Sequence, residues 1–481
     1  MGTPGAQTGG PWDGAGNTNN QAVAAVDQRI KHIGIVGGGI LGMYLALRLR
    51  QAGHEVTILE AAPASGGLAV GSNIGGYRWD RFYHVILMSD VNLRRLLEEL
   101  GLSGELRWGI TRTGFYTDGR LYSMSNTIEF LRFPPLNLWD KLRLGGTIFL
   151  AARIRNWRRL ERVLSVDWLR RWSGRRVVER IWLPLLKSKL GENWRIASAA
   201  FIWAIIARMY AARRSGLKQE MFGYVDGGYD LILSRLQRRL DEIGVRTAYG
   251  AGVAQVESTE TGAIVQLQSG ARHDFDAAVM TVPTPAIARL CGQLTAAERS
   301  RLDAVTYQGI ICASLLLSEP LSTYYVTNIT DRWVPFTGVI EMTTLVDRAR
   351  FGGNSLVYLP CYLTQADATW QQPDEQVREQ FIAALERMYP AFRREHVMAF
   401  NVARARQVLA VSTLDYSDKL LPTVRTSASR VFVMNSAQIA NGTLNVNETL
   451  DVVNTRLNEL AMALDGLPAV RPAARLTAVG A

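Results

Sequence analysis

Cysteine and histidine are scarce in this chain of 481 residues, which contains three cysteines and five histidines. Cys291, Cys312 and Cys361 form no close pair in the sequence, and the histidines are scattered. A disulfide framework would need paired cysteines, and a zinc site would need clustered ligands. We therefore expect no metal centre and no thiol redox chemistry.

Long apolar runs are also missing, because no segment reaches the roughly 18 uninterrupted apolar residues of a membrane span. Residues 1–30 are rich in Gly, Asn, Thr and Ala and lack the basic start and apolar core of a signal peptide. We expect 1–30 and 466–481 to be flexible, and a cytoplasmic location by default. No nucleic-acid-reading module accompanies the net charge of +11, so we expect no nucleic acid partner.

The strongest motif of the chain is "IGIVGGGILGMYLALRLRQAGHEVTILEA", which predicts a strand, a glycine turn, a helix and a second strand. Gly37, Gly39 and Gly42 have the G-x-G-x-x-G spacing that lets a dinucleotide pyrophosphate approach the backbone at a helix N-terminus, here near Ile40. Glu60 follows the second strand, where an acid accepts hydrogen bonds from ribose hydroxyls. The pattern predicts a site for FAD or NAD.

The residues after Glu60 separate these two cofactors. Ala61 begins "AAPASGGLA", in which Gly66 and Gly67 lie six and seven positions after the acid. This arrangement resembles the FAD-binding superfamily of amine oxidases, protoporphyrinogen oxidases, carotenoid desaturases and UDP-galactopyranose mutases. The resemblance implies FAD, with this loop along its ribityl and phosphate side. Since no cysteine lies near the C-terminal flavin loop, we expect FAD to be bound non-covalently.

Further segments carry the same resemblance. In "GGYRWDRFYH", Phe82, Tyr83 and His84 stand where relatives bring a Gly-Pro-His or similar tripeptide to the flavin ring. The segment "AGVAQVE" would place the backbone of Val253 at adenine.

Near the C-terminus, "RVFVMNSAQIANGTLNVNETLDVVNTRL" resembles the strand, loop and helix that face the flavin in these proteins. The resemblance implies that Asn435 contacts a ribityl or phosphate group and that Leu444 and Asn445 lie at the helix N-terminus beside the flavin. The chain also departs from the superfamily: Ala64 occupies the place of a frequent arginine, and Met434 precedes Asn435 where many relatives have Gly-Asp or Gly-Glu.

The predicted fold is α/β, with a Rossmann-type FAD-binding domain like that of glutathione reductase and a discontinuous substrate domain of the α+β type, largely helical. The expected FAD-binding segments are 31–84, 220–290 and 425–465. The expected substrate segments are 85–219, mostly helical and basic, and 291–424, which mixes strands and helices. We expect the ligand to lie between the two domains.

Positive charge is concentrated in residues 132–214, which hold 16 Arg and 3 Lys against five acidic residues, interleaved with seven tryptophans. Three interpretations remain open. The arginines form the solvated face of a helical cap, the helices bind an anionic membrane surface, or they bind a phosphate-bearing substrate or partner. The second interpretation would place the protein peripherally at the inner face of a membrane.

Catalytic side chains are harder to identify, because flavin chemistry mainly needs a substrate carbon held near the flavin in a site that excludes water. His84 is the one catalytic candidate, and a purely structural histidine is the alternative. Lys187 and Lys189 are candidates for contacts with an anionic substrate, or solvent-facing residues. Tyr324 and Tyr325 either line a cavity or pack in a sheet.

The predicted function is an FAD-dependent oxidoreductase that takes a hydride from a C–N or C–C centre of a mid-sized, apolar or extended organic substrate. Only one dinucleotide fingerprint is present, so the reduced flavin would need oxygen, a quinone or a similar electron acceptor. Two alternatives remain: a UDP-galactopyranose-mutase-like isomerase without net redox, and a non-enzymatic binding protein resembling the Rab escort proteins on the same fold.

Overall fold

The computed structural model describes residues 30–212 and 221–467. The strands of these residues, in chain order, are β1 (His32–Val36), β2 (Glu55–Leu59), β3 (Gly71–Ile74), β4 (Tyr77–Asp80), β5 (Leu106–Ile110), β6 (Thr113–Thr117), β7 (Arg120–Ser123), β8 (Met221–Val225), β9 (Arg246–Ala248), β10 (Val253–Ser258), β11 (Ala263–Leu267), β12 (Arg272–Phe275), β13 (Ala277–Met280), β14 (Tyr307–Leu317), β15 (Val326–Ile329), β16 (Gly338–Glu341), β17 (Ser355–Leu363), β18 (Val397–Ala410) and β19 (Val431–Val433).

The α-helices of the same residues are α1 (Ile40–Gln51), α2 (Val91–Glu99), α3 (Thr127–Arg132), α4 (Leu138–Ala151), α5 (Ser165–Ser173), α6 (Arg175–Val177), α7 (Leu183–Leu190), α8 (Ala199–Ala212), α9 (Gly228–Glu242), α10 (Thr284–Leu290), α11 (Ala296–Asp303), α12 (Asp374–Met388), α13 (Tyr416–Lys419) and α14 (Val446–Asp465). Within the described ranges, no helix has the length and apolar character needed to cross a bilayer.

A parallel sheet of five strands, in the order β19-β13-β1-β2-β9, carries the glycine motif at the end of its central strand. Its inner strands are apolar on both faces, as parallel strands covered by helices must be. Ile33 and Ile35 of β1 are fully buried and pack in one core with α1, α9 and α14. The strands come from widely separated parts of the chain, and each lies within one of the three segments predicted for the FAD-binding domain.

A second sheet of seven strands, in the order β18-β14-β17-β16-β15-β6-β7, forms the floor of the other half of the molecule. All eleven residues of β14 are buried, because it pairs with β17 and β18 on its two sides and its side chains pack into a core on each face of the sheet. Strands β6 and β7 extend this sheet from within 85–219, the segment predicted to be mostly helical. They are joined by Asp118 and Gly119, both with positive φ, in the type of tight hairpin turn that Asp-Gly favours.

Helices α4 to α8 form a separate core around Leu169, Val177 and Phe201, which are almost completely buried. The N-terminus of α4 has a capping box, in which Asn137 accepts from the Asp140 amide and the Asp140 carboxylate accepts from the Asn137 amide. A π-helical turn, Val178–Trp182, lies between α6 and α7. Pro184 follows it and has no N–H to donate, so the regular helical hydrogen bonds are interrupted there.

Three smaller strand pairings complete the structure. Strands β10, β11 and β12 form an antiparallel sheet that shares one apolar core with α10 and the parallel sheet. Strands β3 and β4 form a hairpin that leads into the "DRFYH" segment, and β5 pairs with β8.

Glu341, at the end of β16, is a buried carboxyl whose titration should affect stability. It accepts hydrogen bonds from the amides of Leu321 and Ser322, yet burial raises its pKa to about 7. Because the folded state keeps this proton when the unfolded state has lost it, the stabilisation is complete below the ordinary pKa of 4.5 and is lost as the pH rises to about 7. At about 1.4 kcal/mol for each pKa unit, the change is on the order of 3 kcal/mol.

We expect Glu341→Gln to remove this contribution. Urea unfolding at about pH 5 and about pH 8 should give a smaller difference in the free energy of unfolding for the variant than for the wild type. Equal pH dependence of the two proteins would contradict the assignment.

Candidate functional site

The glycine turn after β1 contains two glycines that the protein itself requires. Gly37 has φ +111°, and a Cβ there would lie 2.6 Å from Thr281 Oγ1. A Cβ on Gly42 would collide with the carbonyl oxygen of Gly37. These glycines allow the turn and the close packing of α1 on the sheet.

Gly39 differs, because nothing in the protein requires a glycine there. Its φ is −64°, and a Cβ built on it would meet no atom within 4 Å. Gly39 is the N-cap of α1 and no side chain caps the helix, which begins at Ile40. Free space in front of an uncapped helix N-terminus fits the pyrophosphate of a dinucleotide.

Glu60 holds this turn from the end of β2. One carboxylate oxygen accepts from the Gly38 amide at 2.6 Å and the other from the Ala62 amide at 2.8 Å. The Gly66 amide in turn donates to the Gly38 carbonyl at 2.8 Å, which brings Gly66 and Gly67 beside Gly39. Ala61 is exposed next to the acid. A carboxylate oxygen has further lone pairs, so Glu60 can still accept from ribose hydroxyls.

The other residues predicted at the cofactor are spread over three elements. Val253 starts β10 and pairs with Leu267. Asn435 is buried, and its carboxamide is engaged within the protein: the oxygen accepts from the Ala437 amide, and the nitrogen donates to the Val282 carbonyl at 2.8 Å. One amide hydrogen of Asn435 is left for a ligand.

Asn445 is the N-cap of α14, where its side chain accepts from the Glu448 amide at 3.0 Å. Leu444 packs against both the core of the parallel sheet and the core of the helical region. The N-terminus of α14 therefore lies where the two halves of the molecule meet.

The segment from Asp80 to His84 leaves the β4 strand towards the second sheet. His84 Nδ1 lies 3.6 Å from Asp80 Oδ2, and its ring lies 4.5 Å from the ring of Tyr229. Asp80 also accepts from the Tyr229 amide at 2.7 Å. Arg81 Nη2 donates to the Gly67 carbonyl at 3.0 Å, so this segment contacts the predicted cofactor loop.

Tyr83, in the same segment, belongs to a hydrogen-bonded chain that also contains Tyr362 of β17 and Lys189 of α7. The hydroxyls of Tyr83 and Tyr362 are 2.8 Å apart, and Lys189 Nζ donates to Tyr362 Oη at 2.7 Å. Burial raises the pKa of both phenols, that of Tyr362 to about 12, so both stay neutral near pH 7. Neutral phenols can donate hydrogen bonds as well as accept them.

Two cavities border these residues. One, of about 230 Å³, lies between α7 and the loop before β16 and is lined by Tyr362, Lys187 and Phe336 among others. The other, of about 490 Å³, is polar and is lined by Arg81, Asn401 and Arg404 among others. Neither Tyr324 nor Tyr325 lines either cavity; Tyr325 is buried with its ring 5.1 Å from that of Phe222.

The family of flavin-containing amine oxidoreductases matches residues 42–441, which include the seven-stranded sheet, the helical region and every strand of the parallel sheet except β1. The chain belongs to this family. The match confirms the predicted superfamily and FAD as the cofactor.

Named proteins with similar sequences are consistent with membership of this family. Coproporphyrinogen III oxidase from Mycobacterium tuberculosis is 29% identical over 276 residues, which cover 53% of this chain and 60% of that protein. Phytoene desaturase from Cercospora nicotianae is 23% identical over 275 residues, 51% of this chain and 44% of that protein. The chain thus spans less than two thirds of the length of these relatives.

Solved structures share the fold over most of the chain. An oxidoreductase from Methanosarcina mazei superimposes with a TM-score of 0.68 at 19% identity and covers 89% of this chain and 100% of its own. Putrescine oxidase with bound putrescine gives 0.67 at 19% identity and covers 90% of this chain and 99% of its own. The predicted α/β fold is confirmed.

The fold brings two further residues to this region that no pattern in the sequence indicates. Tyr362 lies in an apolar strand, where nothing distinguishes it from a packing residue. Arg208 of α8 donates to both carboxylate oxygens of Asp90 at 3.1 Å. Burial raises the pKa of Glu448 in the first turn of α14, and the positive charge of Arg208 opposes that rise. Only the tertiary fold joins these separate segments.

We expect Gly39→Val to reduce FAD affinity strongly without unfolding the protein, because valine would fill the free space at the α1 N-terminus while its backbone angles suit a side chain. Flavin fluorescence would give the dissociation constant. Gly292→Val is the matched control, since Gly292 also has open space around its Cβ position. Full flavin occupancy of Gly39→Val would contradict the site.

Glu60→Gln should weaken FAD binding by about tenfold for each 1.4 kcal/mol of charge-assisted hydrogen bonding lost. Glu60→Ala should weaken it further, since it also releases the Gly38 and Ala62 amides. FMN lacks the adenosine and should respond less to either change. Equal FAD affinities in all three proteins would exclude Glu60 as a ribose ligand.

Proposed function

We propose that the chain is an FAD-dependent oxidoreductase that takes a hydride from a C–N or C–C centre of an extended, largely apolar organic substrate. The observation that carries the proposal is the Asp80–His84 segment. Arg81 binds the Gly67 loop on one side, and Tyr83 binds Tyr362 at the 230 Å³ cavity on the other. Arg81, Tyr83 and Tyr362 would therefore connect a substrate in that cavity with the cofactor loops.

FAD, when bound, supplies the hydride acceptor at flavin N5. Gly39 and the N-terminus of α1 would hold its pyrophosphate, and Glu60 its adenosine ribose. Leu183, Val334 and Phe336 would contact apolar parts of the substrate, and Lys187 would contact an acidic group on it.

The hydrogen-bonded chain of Lys189, Tyr362 and Tyr83 would orient the substrate in this cavity. Lys189 donates to Tyr362, which leaves the Tyr362 proton directed to Tyr83 or to a substrate atom in the cavity. His84 would stay beside Asp80 as a positioning residue.

The relatives named coproporphyrinogen III oxidase and phytoene desaturase suggest a porphyrinogen or a polyene as substrate. The electrons would leave to oxygen, a quinone or a similar carrier, since the sequence carries a single dinucleotide fingerprint.

Anaerobic bleaching of the flavin tests this function. A panel of amines, porphyrinogens, polyenes and sugar nucleotides would be added to the oxidised holoenzyme, and we expect a porphyrinogen or a polyene to bleach it. Turnover of a UDP-sugar only after prior reduction of the flavin, without bleaching by the other compounds, would support the isomerase instead.

Tyr362→Phe should lower kcat/KM for that substrate by about tenfold or more, because one hydrogen bond in a water-excluded site is worth about 1–2 kcal/mol. FAD affinity should not change. Tyr389→Phe is the matched control, since Tyr389 is also buried but lines neither cavity. Equal kcat/KM for Tyr362→Phe and the wild type would remove this residue from the site.

A further inference from the structure

Helices α3 and α4 expose seven large apolar side chains, which we call the apolar face: Ile128, Leu131, Leu138, Trp139, Leu142, Phe149 and Leu150. Trp139 is 66% exposed, Leu138 64% and Ile128 63%. Scattered single apolar residues are normal on a protein surface, but seven of them on two consecutive helices are typical of an interaction site.

The spacing within α4 shows that this exposure is a property of one helix side. Leu138, Leu142 and Phe149 recur at intervals of four and seven residues, which places them on one side of the helix. The opposite side, with Leu144 and Ala151, is buried against the core of the helical region. The helix is therefore apolar on its outer side as well as its inner side.

The charges around the apolar face are almost all positive. Arg132 is the last residue of α3, Arg143 lies on α4, and Arg153 follows α4 with its guanidinium carbon 3.3 Å from the centre of the Phe149 ring. In the described part of the chain, none of these three arginines forms an ion pair with a carboxylate.

The acidic residues of 127–151 are turned away from the apolar face. Glu129 accepts from the Ser123 hydroxyl and the Ser125 amide, and Asp140 is buried and paired with Arg176. More arginines follow directly in the sequence: Arg155, Arg158 and Arg159, all exposed.

We propose that the apolar face of α3 and α4 docks on the surface of an anionic lipid bilayer, with its apolar side chains in the lipid boundary and the arginines among the headgroups. Aromatic and leucine side chains beside arginine are the composition of helices that lie in the membrane interface. At about 1.5 Å per residue, α4 is about 21 Å long, which suits a helix lying along the surface.

Charge decides between a bilayer and a second copy of the chain. Two copies meeting through this face would bring their arginines together, and like charges across an interface oppose association. An anionic bilayer offers both the apolar layer and the opposite charge.

The test uses the full-length holoprotein and vesicles of phosphatidylcholine with phosphatidylglycerol in equal amounts. We expect the protein to sediment with these vesicles, to bind pure phosphatidylcholine vesicles much more weakly, and to be released as salt rises through the physiological range. Trp139→Ser and Phe149→Ser should each lower the partition coefficient by about tenfold, and Arg153→Gln should lower it for the anionic vesicles only.

Met462→Ser is the matched control, because Met462 is equally exposed (66%) on α14 but lies outside the apolar face. Flavin content and the thermal midpoint would show that the variants are folded. The proposal is overturned if anionic vesicles fail to bind the protein at low salt, or if Trp139→Ser binds as well as the wild type. It is also overturned if the protein is a dimer in solution that Trp139→Ser converts to a monomer.

Discussion

The cofactor side of the molecule depends on the hydrogen bonds that the Glu60 carboxylate accepts. Its two oxygens accept from the amides of Gly38 and Ala62 and so hold the glycine turn against the end of the neighbouring strand. The Gly38 carbonyl accepts a hydrogen bond from the Gly66 amide, and the Gly67 carbonyl accepts one from the Arg81 guanidinium. Through these contacts one negative charge holds two loops and the segment that leads to the second half of the protein. All of these hydrogen bonds are formed within the protein itself.

The division of the fold follows from how each sheet is covered. The inner strands of the parallel sheet are buried on both faces, so their sequences are largely apolar and their ends carry the site. The seven-stranded sheet is packed against α12 on one face and faces the β3–β4 hairpin on the other. The cavities and the Tyr83–Tyr362 contact lie around this second sheet, where side chains from several segments meet.

Part of this arrangement could be predicted from the sequence, because it rests on local chemistry. The Gly37, Gly39 and Glu60 pattern predicted the turn and a dinucleotide site, since spacing along the chain determines those contacts, and the resemblance carried by Gly66 and Gly67 implied FAD. Long-range contacts left no such signal: Tyr362 is one aromatic residue in an apolar strand, and the hairpin at Asp118 was hidden inside a basic, helix-rich segment. Asn435 was predicted as a cofactor contact, but the sequence could not indicate that its carboxamide already binds Val282 and Ala437.

The order of the strands in the parallel sheet also affects how the protein is made. Ile33 of β1 pairs with Ala277 of β13, which in turn pairs its neighbour Ala278 with Val431 of β19. During synthesis, one edge of β1 therefore stays unpaired until most of the polypeptide has left the ribosome. An unpaired apolar strand edge is prone to aggregation, and such distant pairings form slowly. Newly made chains are consequently expected to depend on chaperones until the C-terminal strand arrives.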